Sequence, residues 1–177
     1  MNFVVMGIDR IGKNTFIEKV LMPRYPGLIE THLSKPPADV DPLYFTKAEY
    51  ADYFMDLKKN DNKVYNRGHI DEFVYAPLYR KIDTYWLKIY EQEFSEDMGN
   101  TLFILLVSDN FDVMVDDGNS LDYSRRKEEQ ELFLKHFYEA RLPHKLVLST
   151  INETGYRSIE DIATDYEDGL KALNLEV

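Results

Sequence analysis

The sequence contains no cysteine among its 177 residues. The absence of cysteine excludes disulfide bonds and zinc sites built on thiolates. The chain also has no run of about 18 apolar residues, which is the length that a helix needs to span a membrane. The apolar run at the N-terminus is too short for a signal peptide, and no basic segment precedes it. These absences predict a soluble, cytoplasmic protein without a membrane partner.

Positive charge is scarce, because 21 Lys and Arg residues face 32 Asp and Glu residues and the net charge is −11. Proteins that hold a nucleic acid backbone normally present a basic surface. The basic segment that stands out here is Arg125 to Lys127, so we expect no stable nucleic acid binding. A small anion in a locally basic pocket remains compatible with this charge. The hydrophobic content of 44% is ample for a single domain with its own core.

The first sixteen residues have the order of a phosphate-binding loop. An apolar, β-prone run, Phe3 to Met6, ends at Gly7, and after four intervening residues Gly12 and Lys13 open a segment with a helical pattern. Glycines allow the backbone to turn its N–H groups towards an anion, and the start of the helix adds its positive dipole end. Lys13 can then reach the outer phosphates of a nucleoside triphosphate.

One position of this loop departs from the usual pattern. Asn14 stands where Ser or Thr normally offers a hydroxyl to magnesium, and Thr15 follows one position late. The alternative interpretation of the stretch is a glycine turn that precedes a helix by chance. Its place directly after an apolar strand favours the phosphate-binding loop.

The remaining pattern alternates strands with helices. Strands are predicted at 3–6, 28–33, 63–65, 101–107 and 145–149, and helices at 15–22, 46–59, 71–94, 123–141 and 158–173. The continuous apolarity of 101–107 is typical of a strand covered on both faces. The alternation predicts an α/β fold with a mostly parallel, five-stranded sheet flanked by helices, and ligands bind such sheets at the carboxyl ends of the strands.

Three local signals refine the predicted helices. Thr46 with Glu49, and Ser158 with Asp161, have the spacing of capping boxes at helix starts. Pro77 is expected to kink the helix over 71–94 or to mark its first turn.

Two stretches together resemble a known family. Gly7-Ile-Asp-Arg-Ile-Gly-Lys-Asn-Thr15 resembles the phosphate loop of thymidylate kinases, Gly-x-Asp-x-x-Gly-Lys-[Ser/Thr]-Thr. The stretch from Asn66 to Tyr75 is similar to the family's Asp-Arg-Tyr motif, which continues to an Ala-Tyr-Gln triplet. The chain thus resembles deoxynucleoside monophosphate kinases, and its short length is similar to bacteriophage-type members. This resemblance implies a three-layer P-loop kinase fold over residues 1–177, with a mobile lid around 116–127. A viral member of the family would be located in the host cytoplasm.

The resemblance also implies roles for individual residues. Lys13, Arg10 and Arg67 would be catalytic. The implied ATP-binding residues are Gly7, Gly12, Lys13, Asn14, Thr15, Arg125 and Arg126. The implied acceptor-nucleotide residues are Asp9, Lys35, Tyr44, Phe45, Arg67, Asp71 and Tyr75.

Several of these residues have ordinary structural alternatives. Tyr44, Phe45, Tyr50, Tyr53 and Phe54 could form an aromatic wall for a base, although such a stripe is more often core. A second set could equally be surface groups that pair with neighbouring acids: Lys35, Arg80, Arg125 and Arg126.

The resemblance implies Mg²⁺ with ATP as phosphoryl donor, but both usual metal positions differ. Asn14 and Asn66 are neutral amides, whose oxygens can be ligands for a hard cation but bring no charge. Asp109 could substitute, although a cap or turn role is the more usual one. Asp71 and Ala76 replace the Ser and Gln that related enzymes place near thymine, so a different or modified pyrimidine is compatible.

The leading hypothesis is an ATP-dependent deoxynucleoside monophosphate kinase. The alternatives are a deoxynucleoside kinase, for which Glu30 is the candidate base after the second strand, and a degenerate nucleotide-binding module. The two amides favour the degenerate module, whereas Arg10 and Arg67 favour catalysis. A kinase acting on bases within DNA is disfavoured by the acidic charge. A homodimer remains open.

Overall fold

A computed structural model of the chain describes residues 1–34, 37–59, 61–115, 118 and 122–175. Within these residues one sheet has the strand order β2-β3-β1-β4-β5-β6. The strands are β1 (Asn2–Met6), β2 (Ile29–Thr31), β3 (Lys63–Asn66), β4 (Thr101–Ser108), β5 (His144–Asn152) and β6 (Gly155–Tyr156). The first five strands are parallel, and β6 pairs antiparallel with β5. The mostly parallel α/β sheet is confirmed.

The predicted strand count of five was wrong by one strand. The additional strand, β6, contains two residues and closes a tight turn after β5. A strand of two residues has no alternation or apolar run, so the sequence carries no pattern for it. The two central strands, β1 and β4, are buried almost throughout, as continuous apolarity predicts for strands covered on both faces.

Helices cover both faces of the sheet. They are α1 (Lys13–Phe16), α2 (Met22–Arg24), α3 (Pro42–Lys59), α4 (His69–Tyr75), α5 (Tyr85–Phe94), α6 (Arg126–Glu139) and α7 (Ile159–Ala172). A π-helical segment, Ile17–Leu21, joins α1 to α2. Helix α7 packs against β5 and against this segment, whereas α4 packs against α6 and α3 against α5. No helix of the described residues is long and apolar enough to cross a membrane.

The start of α3 differs from the prediction. The helix begins at Pro42, and the Asp41 carboxylate accepts the backbone N–H of Tyr44 at 2.8 Å. Thr46 lies inside the helix, where its hydroxyl donates to the Pro42 carbonyl, and Glu49 instead accepts the N–H of Ser34. The predicted capping box was therefore wrong. An aspartate followed by proline is itself a good helix start, because proline suits the first helical position.

The helix predicted over 71–94 is divided into separate parts. Helix α4 ends at Tyr75, a π-helical turn covers Ala76–Arg80, and α5 begins at Tyr85. Pro77 lies in the π-helical turn, and Lys81 has a left-handed backbone with φ of 54°. Because proline cannot donate a backbone hydrogen bond, the helix ends here rather than bending. At the other predicted cap, Ser158 accepts the N–H of Asp161 at 3.1 Å, which confirms the start of α7.

Candidate functional site

A cleft of about 1070 Å³ lies at the carboxyl ends of β1, β2 and β3. It is the edge at which parallel sheets bind ligands. Ten of the predicted site residues line it: Asp9, Arg10, Gly12, Lys13, Asn14, Thr15, Asn66, Arg67, Asp71 and Tyr75. The cleft therefore brings together two motifs that are separated by about 50 residues of sequence.

The loop after β1 needs glycine at its first position. Gly7 has φ of 138°, and a Cβ atom there would lie 2.6 Å from the carbonyl oxygen of Leu106 in β4. Gly12 has φ of 94° and immediately precedes α1. Arg10 lies between them with φ of 67°, and its carbonyl accepts a hydrogen bond from Tyr156 of β6. The loop thus curls tightly between β1 and α1.

Lys13 carries its charge inside this loop. Its side chain is buried, and Nζ donates to the carbonyl oxygens of Gly7 and Ile8, each at 2.8 Å. Burial, and after it the neighbouring Arg67, lower the pKa of Lys13, nearby carboxylates act in the opposite direction, and the net result is a pKa of about 8. The ammonium group is therefore held at the base of the loop and titrates close to neutral pH.

Arg67 approaches the same loop from the end of β3. One guanidinium nitrogen lies 2.5 Å from Oδ1 of Asp9, and the guanidinium lies 5.6 Å from the ring centroid of Tyr75. Gly68 makes this approach possible, because a Cβ atom there would lie 2.5 Å from Cγ1 of Val4 in β1. The contacts with Asp9 and Tyr75 hold Arg67 beside the loop that follows β1.

Asp71 places a buried carboxyl group at the cleft. Only 4% of the residue is exposed, and Oδ2 accepts the N–H of Gly68 at 2.8 Å. Burial raises the pKa of Asp71 to about 6, although Arg67 and Lys13 favour the ionised form. Its Oδ1 atom and the hydroxyl of Tyr75 are buried without a hydrogen-bond partner among the described residues. Leaving a buried polar group unpaired costs about 1–3 kcal/mol, which a ligand's hydrogen bond can offset.

The two amides at the predicted metal positions contact each other, and one of them, Asn66, also contacts a carboxylate. Nδ2 of Asn66 donates to Oδ1 of Asn14 at 2.7 Å and to Oε1 of Glu30 at 3.2 Å. Glu30 comes from β2, where the sequence suggested it only as a possible base. Oε1 of Glu30 also lies 3.3 Å from Nε2 of His32.

This donor set is chemically suitable for magnesium. Mg²⁺ prefers oxygen ligands, and nucleotide sites usually combine one or two carboxylates with phosphate oxygens rather than a full protein cage. Amide and hydroxyl oxygens are available at the cleft from Asn14, Asn66 and Thr15, and the Glu30 carboxylate lies behind Asn66 at 3.2 Å. The described residues contain no group of three or more His, Asp or Glu suited to a metal. Asp109, the substitute that the sequence suggested, accepts a hydrogen bond from Ser149 and, like Glu30, does not line the cleft.

The predicted lid arginines do not line the cleft among the described residues. Arg125 pairs with Glu128 at 2.8 Å and lies 5.4 Å from the ring centroid of Tyr79. Arg126 donates to the carbonyl oxygens of Phe111 and Tyr123. Five residues of the predicted lid, 116, 117 and 119–121, lie outside the described residues, as does Lys35.

The predicted aromatic wall is represented at the cleft by one of its members. Tyr50, on α3, lines the cleft and donates to the Gly68 carbonyl at 3.3 Å. Tyr44 is 73% exposed, and neither Tyr44 nor Phe45 lines the cleft among the described residues. Tyr53 and Phe54 are buried in the core.

Other lining residues were missed by sequence reasoning: His32, Leu33, Glu72, Tyr79 and Tyr156. Arg80, for which the sequence left two roles open, lines the cleft and also pairs with Glu72 at 2.6 Å. Tyr79 donates to the carboxylate of Glu129 on α6, which links the π-helical turn to that helix. Tyr156 arrives through β6, for which the sequence has no signal. Glu72 could have been suggested by its spacing from Arg67, since α4 begins at His69, two residues after that arginine.

No protein-family model and no curated protein sequence matches the chain. A solved structure does match: the YorR protein of Bacillus subtilis, in complex with phosphorylated GDP. The similarity covers 97% of this chain and 98% of that chain, with a TM-score of 0.66 and 19% sequence identity. At this identity the similarity shows the fold alone. The chain thus shares its α/β fold, with a mostly parallel sheet, with that structure, and its candidate site lies at the carboxyl edge of the sheet.

Proposed function

We propose that the chain is a deoxynucleoside monophosphate kinase, which transfers the γ-phosphoryl group of ATP to the phosphate of a pyrimidine deoxynucleotide. The observation that carries this proposal is the convergence of Lys13 and Arg67 on one cleft. Its volume of about 1070 Å³ lies at the upper end of the range for small-molecule pockets, about 300–1000 Å³. Room for a donor and an acceptor supports a transfer reaction. The similar YorR structure was solved with phosphorylated GDP, which supports a nucleotide as ligand.

The proposed chemistry depends on positioning and positive charge. Phosphoryl transfer needs little covalent assistance, and the protein must hold donor and acceptor in line and stabilise the charge on the moving group. The backbone N–H groups from Gly7 to Lys13, with the Lys13 ammonium, bind the outer phosphates of ATP. Arg67 contacts both the donor and the acceptor phosphate. An arginine in this role is worth about 10³–10⁵ in rate in comparable enzymes.

Asp9 has two consequences for this arginine. It accepts a hydrogen bond from Arg67 at 2.5 Å, so the guanidinium is already oriented before the nucleotides bind. It also lies at the acceptor side of the loop, where it can receive a hydrogen bond from the sugar. Arg10, which lines the cleft from the tip of the loop, adds positive charge beside the same phosphates.

Magnesium belongs to this proposal as the ion that accompanies ATP. The side chains that would hold it are Asn14, Thr15 and Asn66, together with the phosphate oxygens of the nucleotide. When bound, the ion neutralises charge on the β- and γ-phosphates.

The segment around 116–127 is proposed to act as a lid over ATP. Arg125 pairs with Glu128 at the surface, and exposed ion pairs of this kind contribute little to stability. Arg125 can therefore exchange Glu128 for a phosphate at little cost. A closed lid excludes water, which would otherwise accept the phosphoryl group.

A second candidate function is a deoxynucleoside kinase, whose acceptor is the sugar hydroxyl. The observation that favours it is the contact of Glu30 with Asn66, at 3.2 Å. A carboxylate there could remove the proton from a hydroxyl group. A phosphate acceptor needs no such base, so the two functions make different demands on Glu30.

The proposal is tested by ADP release in a coupled assay, with each deoxynucleoside monophosphate and each nucleoside, with and without magnesium. We expect release to depend on a monophosphate and on the metal. Lys13→Ala and Arg67→Ala should abolish it, whereas the exposed controls Lys19→Ala and Arg141→Ala should retain it. Release with nucleosides alone would support the deoxynucleoside kinase. ATP binding without any release would support a degenerate nucleotide-binding module.

A further inference from the structure

Three side chains from separate parts of the fold form one polar chain at the edge of the cleft. Asn14 follows the phosphate-binding lysine, Asn66 ends β3, and Glu30 lies in β2. The strand register explains the third member. Glu30 pairs with Val64 in the parallel ladder, and Val64 and Asn66, two residues apart, point to the same face. Glu30 is thereby brought beside Asn66.

The orientation of the Asn66 amide follows from its neighbours. An ionised carboxylate can only accept hydrogen bonds, so Asn66 must present its NH₂ group to Glu30. The second hydrogen of the same group is directed to Oδ1 of Asn14, at 2.7 Å. The negative charge of Glu30 is thus one side chain away from the position where Asn14 replaces the usual metal-binding hydroxyl.

The carboxylates that line the cleft have different partners. The same is true of Asp109, which was considered for the metal. Asp9 is paired with Arg67 at 2.5 Å, and Asp71 is buried against the N–H of Gly68. Asp109 lies beside Ser149, away from the cleft lining. Glu72 is paired with Arg80 at 2.6 Å.

Glu30 differs from these groups in its surroundings. It contacts the Asn66 amide and one imidazole nitrogen of His32, and its side chain is 26% exposed. Glu30 contacts Asn66 directly, and Asn66 links it to Asn14. We propose that Glu30 is the acidic member of the magnesium site, a positioning residue that acts through Asn66 and supplies the negative charge that both amides lack.

This inference rests on the proposed function, because the ion is held only with the triphosphate. Residues that orient or charge the ligands of a metal typically change its affinity by about 10- to 100-fold when they are replaced. The effect is separable from phosphate binding, which depends on Lys13 and the loop. Removal of a negative charge near the phosphates should not weaken the binding of metal-free ATP.

The test measures metal coupling rather than turnover. The affinity of the full-length protein for ATP is determined by isothermal titration calorimetry in excess EDTA and in excess magnesium. The dissociation constant in EDTA divided by the dissociation constant in magnesium gives the coupling between metal and nucleotide. In Glu30→Gln we expect this ratio to fall by about 10-fold or more, with the affinity for metal-free ATP maintained. The exposed control Glu160→Gln should keep the wild-type ratio.

A second variant guards against a purely structural effect. Asn66→Asp in the Glu30→Gln background returns a carboxylate to the end of β3, where the glutamine amide can donate to it, and should restore the coupling. Equal loss of affinity in both conditions, or an unchanged ratio in Glu30→Gln, overturns the inference. Loss of turnover with unchanged coupling also overturns it and assigns Glu30 as a base. A wild-type protein that fails to bind ATP in either condition overturns the proposed function as well.

Discussion

At the scale of single residues, burial lowers the pKa of Lys13 in the candidate site. The ammonium group is enclosed by the loop between β1 and α1, and its pKa is lowered to about 8. Its charge is therefore lost in mildly alkaline solution, and under the proposed function this loss weakens the attraction for the triphosphate. A lysine in water keeps its charge well beyond that range.

This lowered pKa predicts a pH-dependent affinity for ATP. Above about pH 8 the affinity should fall by up to about 10-fold per pH unit, because binding must first protonate Lys13. Calorimetric titration of ATP between about pH 7 and pH 9.5 measures the slope. Lys13→Met, similar in length and without charge, should bind weakly with a flat profile over this range. An equal slope in the wild type and in Lys13→Met would assign the titration to another group.

Asp71 predicts a pH dependence of stability. Its pKa is raised from 3.8 to about 6, so the folded protein retains a proton that the unfolded chain releases. The group's contribution to the free energy of unfolding therefore decreases as the pH rises from about 4 to 6, and it stays low above that. The total change for a shift of this size is about 3 kcal/mol.

Asp71→Asn tests this contribution, since asparagine cannot ionise but can still accept the N–H of Gly68. Relative to the wild type, the variant should gain about 2 kcal/mol of stability between about pH 4.5 and pH 7.5, because about a third of the total change is already complete at pH 4.5. Urea denaturation at the two pH values measures the difference. A stability difference between the two proteins that stays constant with pH would show that Asp71 is not the group that titrates.

At the scale of the elements, the segment between β3 and α4 determines where Arg67 lies. Gly68 packs so closely on β1 that a methyl group would lie 2.5 Å from Val4 and 3.1 Å from the hydroxyl of Tyr53. Gly68→Ala should therefore lower the free energy of unfolding by about 1–3 kcal/mol and shift Arg67 away from the loop, so that kcat falls. Urea denaturation and the ADP-release assay measure the two effects. Gly99→Ala is the matched control, because its nearest neighbour would be 4.0 Å away.

The start of α3 gives a second prediction at this scale. Asp41 accepts the N–H of Tyr44, whereas Thr46 only donates back to the Pro42 carbonyl within the helix. Asp41→Ala should cost about 1 kcal/mol in the free energy of unfolding, and Thr46→Ala should cost much less. The reverse order in urea denaturation would place the helix start at Thr46, as the sequence pattern suggested.

For the molecule as a whole, local signals in the sequence were sufficient for much of the fold. The apolar runs at β1 and β4 predicted buried parallel strands, and the glycines with Lys13 predicted the loop between β1 and α1. These signals lie within a few residues of the features that they specify. The resemblance of the segment after β3 correctly brought Arg67 and Tyr75 to the same cleft.

The features that the sequence did not indicate depend on long-range contacts. Glu30 meets Asn66 only through the register of β2 on β3. Tyr156 reaches the loop through the two-residue strand β6. Tyr79 lines the cleft from a π-helical turn, which the periodicity of a regular helix does not predict. Their positions follow from how the elements pack, so inspection of local pattern could not identify them.

The function that we propose for the cleft is transfer of a phosphoryl group from ATP to a second phosphate. The most direct measurement is a single-turnover reaction with ATP labelled in its γ-phosphate, in the presence of a pyrimidine deoxynucleoside monophosphate and magnesium. Our account predicts that the label appears in the deoxynucleoside diphosphate, and that Arg67→Ala slows its appearance by about 10³-fold or more. Label that appears only in inorganic phosphate, or only in the monophosphate formed from an added nucleoside, would contradict it.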